Sequence, residues 1–372
     1  VRAVAAAALA LWGLLAATVP RVPSFESVKA RYRRSDAVLL DRRGVPLQEL
    51  RVDPRRRALD WTPLADASAA LQEAVVAAED RRFYSHRGVD ARALAAAAAD
   101  TLRGRRRGGS TITMQVAAQL DPALRGARGG RTLLQKWRQA RCALALERSW
   151  SKAQILEAYL NLAMTRGELR GVAALSRGLF GKDPHGLDAR ESALLAALPR
   201  EPSAAPDRAA ARASRVLRSR GGDGDEAALR ALALSALTRA PAIAPSADAA
   251  PEAARLLLAS AKRGPALSVR SSLDGPLQRF TARVLRERLR GLDAENVRDA
   301  AALVVDNATG EVLAYVGNTG AASSARFVDG ARARRQAGST LKPFLYALAL
   351  ERRLITAATP LDDSPLELPT PR

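Results

Sequence analysis

Two short clusters in the 372-residue chain hold side chains of the types that do chemistry. The first is Glu79-Asp80. Leu71, Ala74, Val75 and Ala78 recur ahead of it at helical spacing, so a helix that packs on one face delivers both carboxylates to its C-terminus. A carboxylate there feels the negative end of the helix dipole and an adjacent like charge. Both raise its pKa, which is how a general base is made. Taken alone, the pair reads as an ordinary solvated acidic helix end. The second cluster is Ser339 with Lys342. On a helix the i to i+3 spacing sets the amine beside the hydroxyl, where it can activate a nucleophile, although a lone Ser-x-x-Lys is a weak signal. Composition excludes other chemistries. The single cysteine, Cys142, rules out an intramolecular disulfide and a cysteine-based zinc cluster; among Ala143, Leu144 and Leu146 it reads as an inert buried thiol. His86 and His185 are too few for a histidine-rich metal site.

The elements that must position these residues follow from pattern and charge. With 48% hydrophobic residues the chain can bury two cores behind an anchor. Its formal charge of +21 points to an anionic counterpart: nucleic acid, anionic lipid or a pyrophosphate-linked substrate. Residues 3–19 carry no charge and are apolar enough to insert as a short membrane span, read here as an uncleaved anchor with a cleaved signal peptide as the rival. Arg2 alone precedes the span while Arg21, Lys29, Arg31, Arg33 and Arg34 follow it. This opposes the positive-inside rule, which long translocated domains override. Residues 37–41 and 47–52 flank Arg43-Gly44-Val45-Pro46 as the small hairpin of a stalk. A helical run extends from about residue 62 to 199, with capping boxes at Ser151/Gln154 and Asp188/Glu191. Alanine-rich residues 208–262, broken by Gly221-Gly222-Asp223-Gly224 and prolines, read as a helical linker. Residues 301–305 and 311–316 then form a hairpin with Gly310 at its turn, and a helical pattern over 339–352 completes the outline of a second, mixed α/β domain.

The order of motifs sharpens this outline. Glu79-Asp80-Arg81-Arg82-Phe83-Tyr84-Ser85-His86-Arg87-Gly88-Val89-Asp90 is followed by Gly108-Gly109-Ser110-Thr111-Ile112-Thr113-Met114-Gln115, by Lys136, and by Ser151-Lys152-Ala153-Gln154-Ile155-Leu156-Glu157-Ala158-Tyr159-Leu160-Asn161. Over residues 60–205 the series resembles the glycosyltransferase domain of class A penicillin-binding proteins, the 1C type most of all through Met114 and Gln139. Gln336-Ala337-Gly338-Ser339-Thr340-Leu341-Lys342-Pro343 resembles the acylation motif of their transpeptidase domain. Only six of the 59 basic residues are lysines, and four of them, Lys136, Lys152, Lys182 and Lys342, fall within motifs.

The resemblance implies a multidomain protein: an N-terminal transmembrane helix, a mainly α lysozyme-like glycosyltransferase domain, and an incomplete α/β penicillin-recognising transpeptidase domain. The expected boundaries are 1–22 for the anchor, 23–60 for the stalk, 61–207 for the glycosyltransferase domain, 208–262 for the linker and 263–372 for the transpeptidase part. The implied reaction is polymerisation of lipid II into glycan strands, with inversion at the anomeric carbon. It needs a base for the acceptor hydroxyl and cations for the departing pyrophosphate. Glu79 matches the base. Gly108 and Gly109 let backbone amides approach oxyanions beside the Ser110 and Thr111 hydroxyls. Gln115, Arg131, Lys136 and Gln139 match substrate-contacting positions, and His86 a structural hydrogen-bonding one.

The resemblance is imperfect at two positions. The family usually has a glutamate where Gln139 stands, and an amide can orient a group but cannot act as a base. It commonly has a basic residue where Ala118 stands, so weaker polymerisation, or a non-catalytic cell-wall scaffold, is the alternative. Ser339 and Lys342 match the transpeptidase nucleophile and its partner. Ser-x-Asn and Lys-Thr-Gly do not occur in the 372 residues, so β-lactam acylation is expected only where that domain is complete. A divalent cation often assists the family, yet no Asp/Glu cluster here marks a metal site. The implied setting is the outer face of the bacterial cytoplasmic membrane, with a single span and with lipid II and the nascent glycan strand as partners. Nucleic acid is not expected, because Arg103-Gly104-Arg105-Arg106-Arg107 lacks interleaved aromatics and reads as a headgroup-facing loop.

Overall fold

The computed structural model describes residues 20–93, 109–124, 132–261, 268–362 and 364. The chain divides into two compact units, residues 1–280 with 304–315, and residues 281–303 with 316–372. The expected anchor, Arg131 and Gly108 lie outside the described residues. Among the described residues no helix is long and apolar enough to cross a membrane.

The first unit opens with helix α1 (Phe25–Arg31), then strands β1 (Asp36–Leu40), β2 (Pro46–Arg51) and β3 (Arg57–Ala58). Helix α2 (Ala69–Glu79) starts where the Ser68 hydroxyl accepts from the Leu71 amide, and it buries Leu71, Ala74 and Val75 along one face. Full burial of an aliphatic side chain such as Leu71 contributes roughly 2 kcal/mol. After α3 (Ile112–Leu120) come α4 (Leu133–Ser149) and α5 (Lys152–Leu162), each opened by a reciprocal capping box, Thr132/Gln135 and Ser151/Gln154. The short strands β4 (Thr165–Arg166) and β5 (Leu169–Arg170) lead into α6 (Gly171–Phe180), which stops at Gly181 in the left-handed region. Helix α7 (Ala189–Ala197) carries the expected Asp188/Glu191 capping box. Lys182 is fixed to this box by an ion pair with Glu191 at 2.7 Å.

Helices α8 (Pro206–Arg218) and α9 (Glu226–Thr238) fall in the expected linker, yet they are part of the helical core. Ala209, Ala210, Ala213, Val216 and Leu217 of α8 are buried with Ala193, Ala196 and Ala197 of α7. Alanines facing alanines let two helices approach closely, so this segment packs although its apolar signal is faint.

The expected stalk hairpin is likewise built in. β1 pairs antiparallel with β2 (Ala37↔Leu50, Leu39↔Gln48) and parallel with β6 (Ser268–Arg270; Val38↔Ser268, Leu39↔Val269). Ala37, Leu39 and Leu47 of this sheet are buried with Ala253, Ala254 and Leu258 of α10 (Pro251–Ala261) and with Tyr315. Gln278, on α11 (Gly275–Arg290), exchanges hydrogen bonds with the Tyr315 backbone, receiving its N–H at 2.7 Å and donating to its carbonyl at 2.8 Å. The expected hairpin forms as β7 (Ala302–Val305) and β8 (Val312–Val316), with Gly310 at φ +72°.

In the second unit, Asn318 donates to the Ala325 and Val328 carbonyls, which folds residues 318–328 into a tight loop. Helix α12 (Lys342–Glu351) follows a 3-10 turn over Gly338–Leu341.

Candidate active site

Glu79 closes α2, and its side chain is only 5% exposed. One carboxylate oxygen, Oε2, accepts from Gln115 Nε2 at 2.8 Å. The other, Oε1, lies 3.4 Å from Arg200 Nε and receives no hydrogen bond. A buried carboxylate with a hydrogen-bond donor on one oxygen and none on the other keeps acceptor capacity for the proton of a third group.

Asp80 does not share this role. It turns away to accept from His86 Nε2 at 2.9 and 3.0 Å and from the Ile112 amide at 3.1 Å. His86 Nδ1 accepts from the Gly88 amide at 3.2 Å, so the ring proton sits on Nε2, facing Asp80. The expected structural role of His86 agrees with this geometry. Asp80 thereby ties the end of α2 to the first turn of α3, where a carboxylate also meets the positive end of a helix. Thr111 caps the same turn by accepting from the Met114 amide at 3.1 Å, and its hydroxyl donates to the Gly88 carbonyl at 2.6 Å. Gln115, one turn further along α3, is thus carried to Glu79.

A second ring of contacts holds this latch. Lys152 donates to the His86 carbonyl and to Glu147 Oε1, both at 2.7 Å, and its ammonium lies 4.5 Å above the Phe83 ring. Glu147 also accepts from the Thr113 hydroxyl at 2.7 Å. Arg82 forms a two-pronged pair with Asp90 at 2.7 and 2.9 Å. Burial works to raise the Asp90 carboxyl, but the Ala93 amide and Arg82 outweigh it and hold its pKa below the usual carboxylate range. Glu157 and Asn161 of the last motif fix the entry segment: Glu157 accepts from Trp61 Nε1 at 2.6 Å, and Asn161 brackets the Thr62 backbone with two bonds of 2.8 Å.

Gly88 sits at the centre of the latch with φ +90°, where a Cβ would come 2.7 Å from the Ala143 carbonyl oxygen. Gly88→Ala should therefore lower unfolding stability by roughly 2 kcal/mol through strain and overpacking. Urea unfolding monitored by circular dichroism measures it; an unchanged midpoint would mean that the loop relaxes without cost.

The remaining expected site residues are dispersed. Thr111 is buried in its capping role, Ser110 is half-buried beside it, and Lys136 is exposed on α4. Gln139, expected at the substrate, requires correction: it is fully buried, and its Nε2 donates to the Met114 carbonyl, so it acts on α3 from beneath and has no exposed surface to offer a ligand. Ala118 faces the core, so the cation common at its position has no counterpart there. Ser339 and Lys342 belong to the second unit, Ser339 in the 3-10 turn and Lys342 opening α12, and both are exposed. Among the described residues no three His, Cys, Asp or Glu side chains converge to hold a metal ion.

Two residues without an expected role join the site. Arg200 anchors beside Glu79 by donating to the Ala78 carbonyl at 2.6 Å. Tyr159 is fully buried, and its hydroxyl makes no hydrogen bond among the described residues. Burial first, and the Glu79 carboxylate next, push its phenol well above the ordinary range, so it stays protonated. Tyr159 lies in a quoted motif, whereas nothing in the spacing of Pro199-Arg200-Glu201 signals a site.

Comparison with known proteins bears on the same residues. Residues 43–220 match the Transglycosylase family, and residues 300–371 match the penicillin-binding protein transpeptidase domain. The chain is 36% identical to penicillin-binding protein 1C of Escherichia coli (strain K12) over 313 residues, covering 81% of the chain and 39% of that protein. It is 30% identical to penicillin-binding protein 2D of Bacillus subtilis (strain 168) over 369 residues, covering 94% of the chain and 51% of that protein. It is 41% identical to the biosynthetic peptidoglycan transglycosylase of Rhodospirillum centenum (strain ATCC 51521 / SW) over 160 residues, covering 42% of the chain and 66% of that protein. The chain thus spans about two fifths to one half of the length of the first two relatives.

Proposed function

The chain belongs to the class A penicillin-binding proteins, and from that footing we propose that its first unit is a peptidoglycan glycosyltransferase polymerising lipid II into glycan strands. The observation that carries this reading is the buried Glu79 carboxylate, hydrogen-bonded by Gln115 at Oε2 and facing Arg200 at an Oε1 that accepts no hydrogen bond. In the proposed step the acceptor hydroxyl gives its proton to Glu79 as its oxygen bonds to the donor's anomeric carbon. The bond from that carbon to the lipid diphosphate breaks on the opposite face, which inverts the centre. The departing diphosphate takes the electron pair and meets cationic and N–H donors, for which Lys136, Arg131 and the Gly109-Ser110-Thr111 turn are the candidates. Ser339, with Lys342, is the proposed nucleophile of the transpeptidase domain and the atom β-lactams would acylate once its partner motifs are present.

Incubating the purified chain with lipid II and resolving the products on a gel tests the first proposal. A ladder of glycan strands is expected. A folded chain that yields no polymer would favour the scaffold alternative, and release of fragments from preformed glycan would make the unit a hydrolase.

We also propose that residues 3–19 anchor the protein in the cytoplasmic membrane with both domains on its outer face. Beginning the chain at Arg21 should make it largely extractable without detergent, with residual binding that falls as salt rises. Retention of that shortened chain in the membrane fraction at high salt would move the anchor elsewhere.

A further inference from the structure

A groove about 420 Å³ in volume lies beside Glu79, walled by α2, α7 and α8. Its floor includes Ala77, Ala78, Ala196 and Ala197, and four guanidiniums, those of Arg81, Arg200, Arg212 and Arg215, line it. Arg200 belongs both to this groove and to the catalytic site, since its Nε faces Glu79. At Arg81 the groove adjoins a second cavity of about 530 Å³ that reaches the exposed ring of Tyr84.

The charges here are out of balance. Arg212 is paired with Glu201, which Arg208 also meets at 3.0 Å, and Glu73 at the second cavity is paired with Arg220. Arg81 and Arg215 have no carboxylate partner among the described residues; Arg215 has only a bond from its Nε to the Ala211 carbonyl at 3.3 Å, within its own helix. Concentrating like charges in a concave site is unfavourable without a ligand and raises the local concentration of anions. Guanidiniums favour planar oxyanions, which they can bind through two parallel N–H donors.

We propose that this groove is an anion subsite for the acidic stem peptide of the substrate, its carboxylates held by Arg81 and Arg215 while the sugar hydroxyl sits at Glu79. The inference rests on the glycosyltransferase reading and adds to it a second point of recognition. A peptide fits better than the diphosphate for two reasons. Of the diphosphate donors proposed above, Lys136 and the Gly109-Ser110-Thr111 turn do not line this groove. The alanine floor between separated cations suits a chain of small apolar side chains bearing scattered carboxylates.

The test compares Arg81→Ala, Arg215→Ala and their double variant with the parent, on lipid II and on lipid II whose peptide carboxylates have been amidated. KM for lipid II should rise about tenfold per variant, with kcat nearly unchanged and no difference on the amidated substrate. Arg215→Lys, which keeps the charge, should recover part of the loss. Equal losses on both substrates would assign the arginines to the diphosphate and overturn the peptide assignment, and no change on either would overturn the subsite. Fluorescence polarisation with a labelled, soluble, acidic stem pentapeptide supplies a readout that does not depend on turnover. If the parent polymerises but the variants bind this peptide as well as it does, the groove proposal fails. If no polymer forms but binding still weakens about tenfold in the variants, the groove stands and the polymerase reading fails.

Discussion

Glu79→Gln should reduce the initial rate of lipid II polymerisation about a thousandfold or more while leaving the fold intact. The amide keeps the shape of the side chain, and its oxygen can still accept from Gln115 Nε2, the contact now made at 2.8 Å. What it loses is the ability to take a proton at Oε1, the oxygen that accepts no hydrogen bond. Unfolding curves should stay within about 1 kcal/mol of the parent, because the amide keeps the Gln115 contact and gives up only the 3.4 Å pair with the largely exposed Arg200. Near-normal polymerisation by the variant would remove Glu79 from the mechanism and leave its burial beside Arg200 as a packing feature.

The largest stability effect is expected at its neighbour. Asp80 presents two acceptor oxygens to two donors, His86 Nε2 and the Ile112 amide, in a site where the Asp80 side chain is 3% and that of His86 9% exposed. Asp80→Ala leaves both donors buried and unpaired, and should cost about 4 kcal/mol. Asp80→Asn keeps one acceptor but turns an NH2 toward the second donor, so roughly half that loss is expected. His86→Ala removes one donor together with its need for a partner and should cost less than Asp80→Ala. Polymerisation should fall with Asp80→Asn even where the protein remains folded, because the first turn of α3 carries Gln115 to Glu79. Equilibrium unfolding in urea ranks the three variants; equal stability of Asp80→Ala and the parent would mean that water replaces the carboxylate in the latch.

Much of this site was legible in the chain. The apolar spacing of Leu71, Ala74, Val75 and Ala78 places Glu79 at a helix end, and the capping residues Ser151 and Asp188 mark where two helices begin. Periodicity reports local structure, and these features are local. Arg200 reaches the Ala78 carbonyl across 122 positions of sequence, a contact that no spacing rule encodes. The segment from 208 onward reads as a linker for a related reason: alanine contributes little to an apolar pattern, yet its small volume is what lets α8 lie close against α7. In the sequence Gln139 reads as a ligand contact because its amide suits a ligand and a backbone carbonyl equally well, and only burial distinguishes the two.

The parallel pairing of β1 with β6 sets the order in which the molecule can be assembled. Ser271 Oγ donates to the Leu40 carbonyl across 231 positions of sequence, so a chain made N-terminus first exposes the outer edge of β1 until that partner appears. The cost of closing a loop grows only with the logarithm of its length, but it precedes any return from the contacts. Helices that pack on near neighbours, such as α7, α8 and α9, do not wait for this closure. A chain interrupted before residue 268 keeps Ala37, Leu39 and Leu47 on a strand pair with an open edge, and another copy of the same strand is a ready partner for it.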